Sequence, residues 1–160
     1  MHYKIGLGYD IHRLVKGRKL FLGAVEIAHG KGLDGHSDAD VVLHAICDAL
    51  LGALGKGDIG GHFPNTDPKY KGISSRRLLE KVHKIVLGEG FEIGNIDAMI
   101  LAEEPNLKAY KSKMRETIAK ILGIDPACVN IKATTQEGIG FGSTQDAIAA
   151  YATALIKRAP

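Results

Sequence analysis

The sequence predicts an α+β fold, with helices covering one face of a mixed sheet, and three observations carry that expectation. Strand-like and helix-like segments follow one another in an order that suits one sheet with its helices on a single side. The 160 residues, 45% of them apolar, suffice for one hydrophobic core. No internal repeat, low-complexity tract or linker divides them, so residues 1–160 are expected to form a single domain.

The first element, HYKIGLGYDIHRL, is strand-like, and KLFLGAVEIAHG reads as two short strands around Gly23. In SDADVVLHAICDALLGALG the period changes. Val42, Ile46, Ala49, Leu50 and Ala53 recur at helical spacing, Ser37 or Asp38 can cap the helix, and Gly55 stops it. From Gly55 to Ser75 runs a loop long enough to suggest a function; its Gly, Pro, Asn and Asp suit turns, while Ile59, Phe63 and Tyr70 suggest that it packs. SSRRLLEKVHKIVLGEG is a helix closed by Gly88 or Gly90, and FEIGNIDAMILAEEP a strand ending at Pro105. NLKAYKSKMRETIAKILGI is a second long amphipathic helix and CVNIKATT a strand. Local propensity makes the tail, DAIAAYATALIKR, a helix, although Ile148, Ala150, Ala152 and Ala154 would also form the narrow face of a closely packed strand.

A net charge of +3 without a dense Lys/Arg run gives no footprint for a nucleic acid, yet tolerates a small anionic ligand. Cys47 and Cys128 lie far apart, outside any CxxC spacing, as expected of reduced thiols. The N-terminal stretch lacks a basic-then-apolar leader and no apolar run matches a bilayer, so a cytoplasmic location without membrane contact is expected.

The chemistry begins in GYDIHRL. Alternation along a strand points Asp10 and His12 to one face, and Tyr9, Ile11 and Arg13 to the other. Zinc takes imidazole and carboxylate ligands, and a catalytic site commonly uses three from the protein. His44, on the apolar part of the first helix, can supply the third if that helix packs over the strand; Cys47, one turn further on, is a rival ligand or a packing residue. In GHSDAD, His36 and Ser37 stand at a helix start, where free N–H groups favour an anion but an ordinary cap would look the same. KATTQEGIGFG places Thr134, Thr135 and Glu137 at a strand end, where hydroxyls suit phosphate oxygens and a carboxylate suits a hard divalent cation.

Taken in order, GYDIHRL, HSDADVVLHAICDALLGALGKGDIGGHFPNTDPKYKG, ILAEEPNLKAY and IKATTQEGIGF resemble the 2-C-methyl-D-erythritol 2,4-cyclodiphosphate synthase family of non-mevalonate isoprenoid biosynthesis. The similarity extends from about Ile5 to about Lys157. It implies a homotrimer with active sites between neighbours, each subunit giving a four-stranded mixed sheet, and it makes the tail a strand against its helix propensity. It further implies conversion of 4-diphosphocytidyl-2-C-methyl-D-erythritol 2-phosphate, a small cytidine diphosphate substrate, to the cyclic diphosphate and CMP.

By the same resemblance Asp10, His12 and His44 hold one zinc per subunit, and Glu137 holds a Mg²⁺ or Mn²⁺ bridging the substrate's diphosphate. Thr134 and Thr135 bond the diphosphate, and His36 and Ser37 contact the 2-phosphate. Asp58, Ile59, Gly60 and Phe63 belong to the erythritol side, with Asp67 orienting water or substrate and Phe141 a further substrate contact. The stretch Ala102 to Lys108, including Asn106 and Leu107, frames the cytosine together with Ala133. Asn65, Asn106 and Thr144 depart from the family's usual aspartate, lysine and arginine. Two other classes use similar parts: a metal-dependent phosphodiesterase and a non-catalytic nucleotide-binding module.

Overall fold

The computed structural model describes residues 3–139 and 146–160; Phe141 and Thr144 lie outside the described residues. The chain runs β1 (Tyr3–Lys16), β2 (Leu20–Leu22), β3 (Val25–Ile27), β4 (Lys31–Leu33), α1 (Val41–Leu54), α2 (Ile59–His62), α3 (Ser75–Gly88), β5 (Phe91–Leu101), α4 (Lys111–Leu122), β6 (Val129–Thr134) and β7 (Ala147–Arg158). Short 3₁₀ turns occupy Pro68–Tyr70 and Pro126–Cys128. The main sheet has the order β4-β1-β7-β5-β6, and β2 pairs with β3 in a separate hairpin. Among the described residues only β5 and β6 pair in parallel.

Five strands, not four, make that sheet. The extra one is β4, whose three residues pair with the last residues of β1, Leu14 to Lys16. A Lys-Gly-Leu segment carries neither alternation nor β-branching, so nothing local announces it. The tail is the strand β7, lying centrally between β1 and β5. Its alanines earn that place, because the face beneath α1 has room only for small side chains.

Helix α1 buries eleven of its 14 residues, as befits a helix enclosed in the core. It lies across β1 and β7 on one side and meets α3 on the other. Its contact with β1 is backbone on backbone. A Cβ placed on Gly6 would come within 2.0 Å of the Ala49 carbonyl oxygen, and one on Gly8 within 1.9 Å of that of Ala45. Across the ladder, Ala154 faces Gly6 and Ala152 faces Gly8, so β7 keeps the same groove shallow.

The cap of α1 is Asp40, rather than Ser37 or Asp38. Its buried carboxylate accepts from Val42 and Leu43 N–H and also from Gly23 and Ala24 N–H at 2.9 and 2.7 Å, tying the helix start to the β2–β3 turn. At the other end Gly55 adopts φ 73°, a left-handed conformation that costs glycine nothing and closes the helix.

Among the described residues no helix covers the sheet's other face. Ile5 and Leu7 are 79% and 65% exposed there, with Tyr3, Tyr9, Ile11 and Tyr151 also exposed. Tyr9 and Tyr151 meet at a tilt across the β1–β7 ladder, with ring centroids 4.7 Å apart. An apolar surface of this kind marks an association site.

Candidate functional site

Along β1 the residues facing α1 are Gly6, Gly8, Asp10 and His12. The two glycines bring the helix down onto the strand, and the next two positions then meet the helix's first turn. His44 Nδ1 accordingly lies 2.8 Å from Asp10 Oδ2, and His12 Nε2 lies 3.2 Å from the same oxygen. All three residues offer ligand atoms within 4.8 Å of one another, so Asp10, His12 and His44 can hold a metal ion. Burial works to raise the carboxyl pKa of Asp10, but hydrogen bonds from His12 and His44 outweigh it and hold the group well below the ordinary carboxylate range. The Asp10 hydrogen bond raises the pKa of His12 against the opposing effect of burial.

Two imidazoles and a carboxylate suit zinc. Cys47 is fully buried in the core, where burial pushes its thiol up; its role is packing, not ligation in this group.

Beyond Asp10 a network continues inward. His44 Nε2 lies 2.8 Å from Ser75 Oγ and 3.2 Å from Ser37 Oγ, and Ser75 Oγ donates to Asp38. The segment carrying His36 and Ser37 is fixed by Arg18, whose guanidinium donates to the carbonyls of Gly35 and Ser37 at 2.9 and 2.6 Å.

The donor trio opens into a cavity of about 610 Å³. His36, Ser37, Ile59, Gly60 and Phe63 line it, as does Asn65. The loop from Gly55 to Ser75 thus packs, and it contains α2. Asp48 accepts from Ile59 N–H at 2.8 Å and Asp58 caps α2 through Gly61 N–H at 2.9 Å. Asp58 and Asp67 are not among the lining residues; Asp67 caps the Pro68–Tyr70 turn and pairs with Lys69 Nζ at 2.7 Å. Phe63 meets Tyr70 edge-on, and Lys81 lies over both rings.

A second cavity, about 320 Å³, lies at the ends of β5 and β6. Ala102, Asn106, Leu107, Lys108, Ala133, Thr134 and Thr135 line it, which unites the residues expected around cytosine and diphosphate. Glu137 is exposed beside it, its Oε1 accepting from Thr135 Oγ1 at 3.0 Å. Register places Ile11, Ala149, Leu101 and Thr134 in one row across the sheet, so both cavities open at the same end. Sequence reading missed Ser75, Asp48 and Arg18 in this region. Ser75 and Arg18 contact the site across more than a dozen residues of sequence, and nothing beside any of the three announces the contact.

Fold and donor set define a class: an α+β protein able to hold one cation at the mouth of a cavity sized for a small molecule. The chain belongs to the YgbB family, which residues 3–157 match. It is 56% identical over 153 residues to the 2-C-methyl-D-erythritol 2,4-cyclodiphosphate synthase of Desulfosudis oleivorans, covering 96% of this chain and 91% of that one. It is 54% identical to the bifunctional enzyme IspD/IspF of Desulforudis audaxviator, over 96% of this chain but only 39% of the relative's length. Among solved structures, a CDP complex of IspF from Plasmodium falciparum superposes with a TM-score of 0.86 at 30% identity, over 99% of this chain and 98% of that one. No helix among the described residues is long and apolar enough to cross a membrane.

Proposed function

We propose that this chain, residues 1–160 acting as one domain, is a 2-C-methyl-D-erythritol 2,4-cyclodiphosphate synthase and a phosphorus–oxygen lyase. It converts 4-diphosphocytidyl-2-C-methyl-D-erythritol 2-phosphate to the cyclic diphosphate and CMP. The convergence of Asp10, His12 and His44 on one cavity, in a chain so close to synthases of known name, carries this reading.

The bond formed joins a 2-phosphate oxygen to the β-phosphorus; the bond broken links that phosphorus to the oxygen leaving with CMP. Because the attacking oxygen is already anionic, positioning and charge neutralisation suffice. His36 and Ser37, on the segment pinned by Arg18, hold the 2-phosphate, and Ile59, Gly60 and Phe63 shape the erythritol site, while Asp58 and Asp67 act from outside the lining by capping the turns of that loop. Thr134 and Thr135 hold the diphosphate, and Ala102 to Lys108 with Ala133 receive the cytosine in the second cavity. Asp10, His12 and His44 would hold one zinc per subunit and Glu137 a Mg²⁺ or Mn²⁺; bound there, the ions supply Lewis acidity and offset the charge of the diphosphate.

The uncovered apolar sheet face supports a homotrimer in which one subunit's metal trio works with its neighbour's cytidine cavity. Two free cysteines suit a cytoplasmic setting. Phosphorus NMR of the purified protein with the named substrate is the test. Cyclic diphosphate and CMP appearing in equal amounts is the expected result. CMP with an open-chain bisphosphate would make the protein a hydrolase instead.

A further inference from the structure

We propose that Ser75 and Asp38 are positioning residues which set the proton of His44 on Nε2 and so keep Nδ1 free for the metal; the inference rests on the metal reading above. The direction of each hydrogen bond decides it. An ionised carboxylate only accepts, so the Ser75 hydroxyl donates to Asp38. Asp38 is itself held in place because both its oxygens face Ser75 N–H, at 3.0 and 3.2 Å. With its hydrogen committed, Ser75 Oγ meets His44 Nε2 at 2.8 Å through a lone pair, and the ring nitrogen must be the donor.

Ser37 does not reverse this. Its oxygen lies farther from Nε2, at 3.2 Å, and already accepts from Ala39 N–H, and its own hydrogen can go to Ser75 Oγ at 3.4 Å. Ser75 is fully buried, so no solvent competes for the arrangement. Nδ1, the nitrogen facing Asp10 Oδ2 at 2.8 Å, is then the ring atom left to serve as a ligand. The proton that bonds this pair without a metal gives way to the cation, while Nε2 keeps its own proton on Ser75. Partners of this kind fix ring orientation and tautomer, and losing one costs about 10–100-fold in metal affinity.

The measurement is the zinc dissociation constant, read by competition with a chromogenic chelator in the full-length protein, beside a thermal melt of the metal-free form. Ser75→Ala should weaken zinc binding about 10–100-fold. Asp38→Asn should also weaken it, since the new amide can donate to Ser75 Oγ and reverse the chain. In the Ser75→Ala background, Asp38→Asn should add nothing, because Asp38 acts through the hydroxyl. Should Ser75→Ala fail to fold, Asp38→Asn carries the test alone. A zinc affinity within about threefold of the parent, even with a lowered melting point, would show a structural role only and overturn the inference. Full additivity of the two changes would overturn it as well. A parent that binds no zinc would instead bring down the metal reading, and this inference with it.

Discussion

Gly8→Ala tests whether backbone contact between α1 and β1 builds the metal site. The added methyl would lie 1.9 Å from the Ala45 carbonyl oxygen and 2.7 Å from the Ala49 nitrogen. A Cβ essentially never comes closer than 3.0 Å to such an atom, so α1 and β1 must part by about 1.1 Å. His44 precedes Ala45 and moves with it, which stretches the 2.8 Å contact to Asp10 by a similar amount. Metal ligation tolerates departures of only about 0.2 Å, and a misplacement of about 1 Å can cost roughly 10²-fold in turnover. Overpacking adds a destabilisation of about 1–3 kcal/mol, or about 2–12 °C in melting temperature for a chain of this size. The assays are a circular dichroism melt, a zinc titration and phosphorus NMR turnover. Gly88→Ala is the control, for nothing lies within 4 Å of where its methyl would go. Parental melting, zinc affinity and turnover in Gly8→Ala would refute the reasoning, because the helix could not then be seated on the strand as described.

Metal-free protein should be most stable between the titrations of Asp10 and His12. The lowered Asp10 contributes above its ordinary value of 3.8 and loses that contribution as acid passes through its lower folded value. The raised His12 contributes fully below 6.5 and loses it as pH climbs through its higher folded value, so His12→Gln should flatten the alkaline limb of a melting-temperature profile; an unchanged limb counts against the pair. Glu137→Gln should keep its zinc yet no longer respond to added Mg²⁺, and a parental Mg²⁺ response would show Glu137 misassigned. Mixing His44→Ala with Thr135→Ala subunits should restore activity towards about a quarter of the parent value, the share of randomly formed interfaces with both residues intact. Verified mixed trimers as inactive as their components would place both residues in one chain's site.

Where a signal is local, the sequence carried it: the Asp10–His12 alternation, the helical period of α1 and the Gly55 stop all stand in the structure. The cap shows the limit. Ser37, Asp38 and Asp40 are equivalent by type, and Asp40 is selected by the N–H groups of Gly23 and Ala24, which only the folded chain brings near. The tail shows it again. Alanine favours helix in isolation, yet a central strand beneath a helix in backbone contact needs alanine, and the resemblance to a family, not propensity, supplied the strand. Among candidate residues, Thr134 and Thr135 were legible from their hydroxyls at a strand end, while Ala102, Asn106, Leu107, Lys108 and Ala133 were named from that resemblance, and all seven fall together around the second cavity. Ser75 was not, since its contact with His44 spans 31 residues.

The glycine-lined seat of α1 also bears on how a cell could govern such a protein. In a zinc finger the ion is the core, and starving the cell of it unfolds and destroys the chain. Here apolar burial and two missing methyl groups seat the helix carrying His44 over Asp10 and His12. Chelation should therefore leave a folded, protease-resistant reserve rather than debris. Metal supply would then set how many copies work at a given hour, while synthesis and turnover set how many exist, and replenishment would restore flux without a new round of translation.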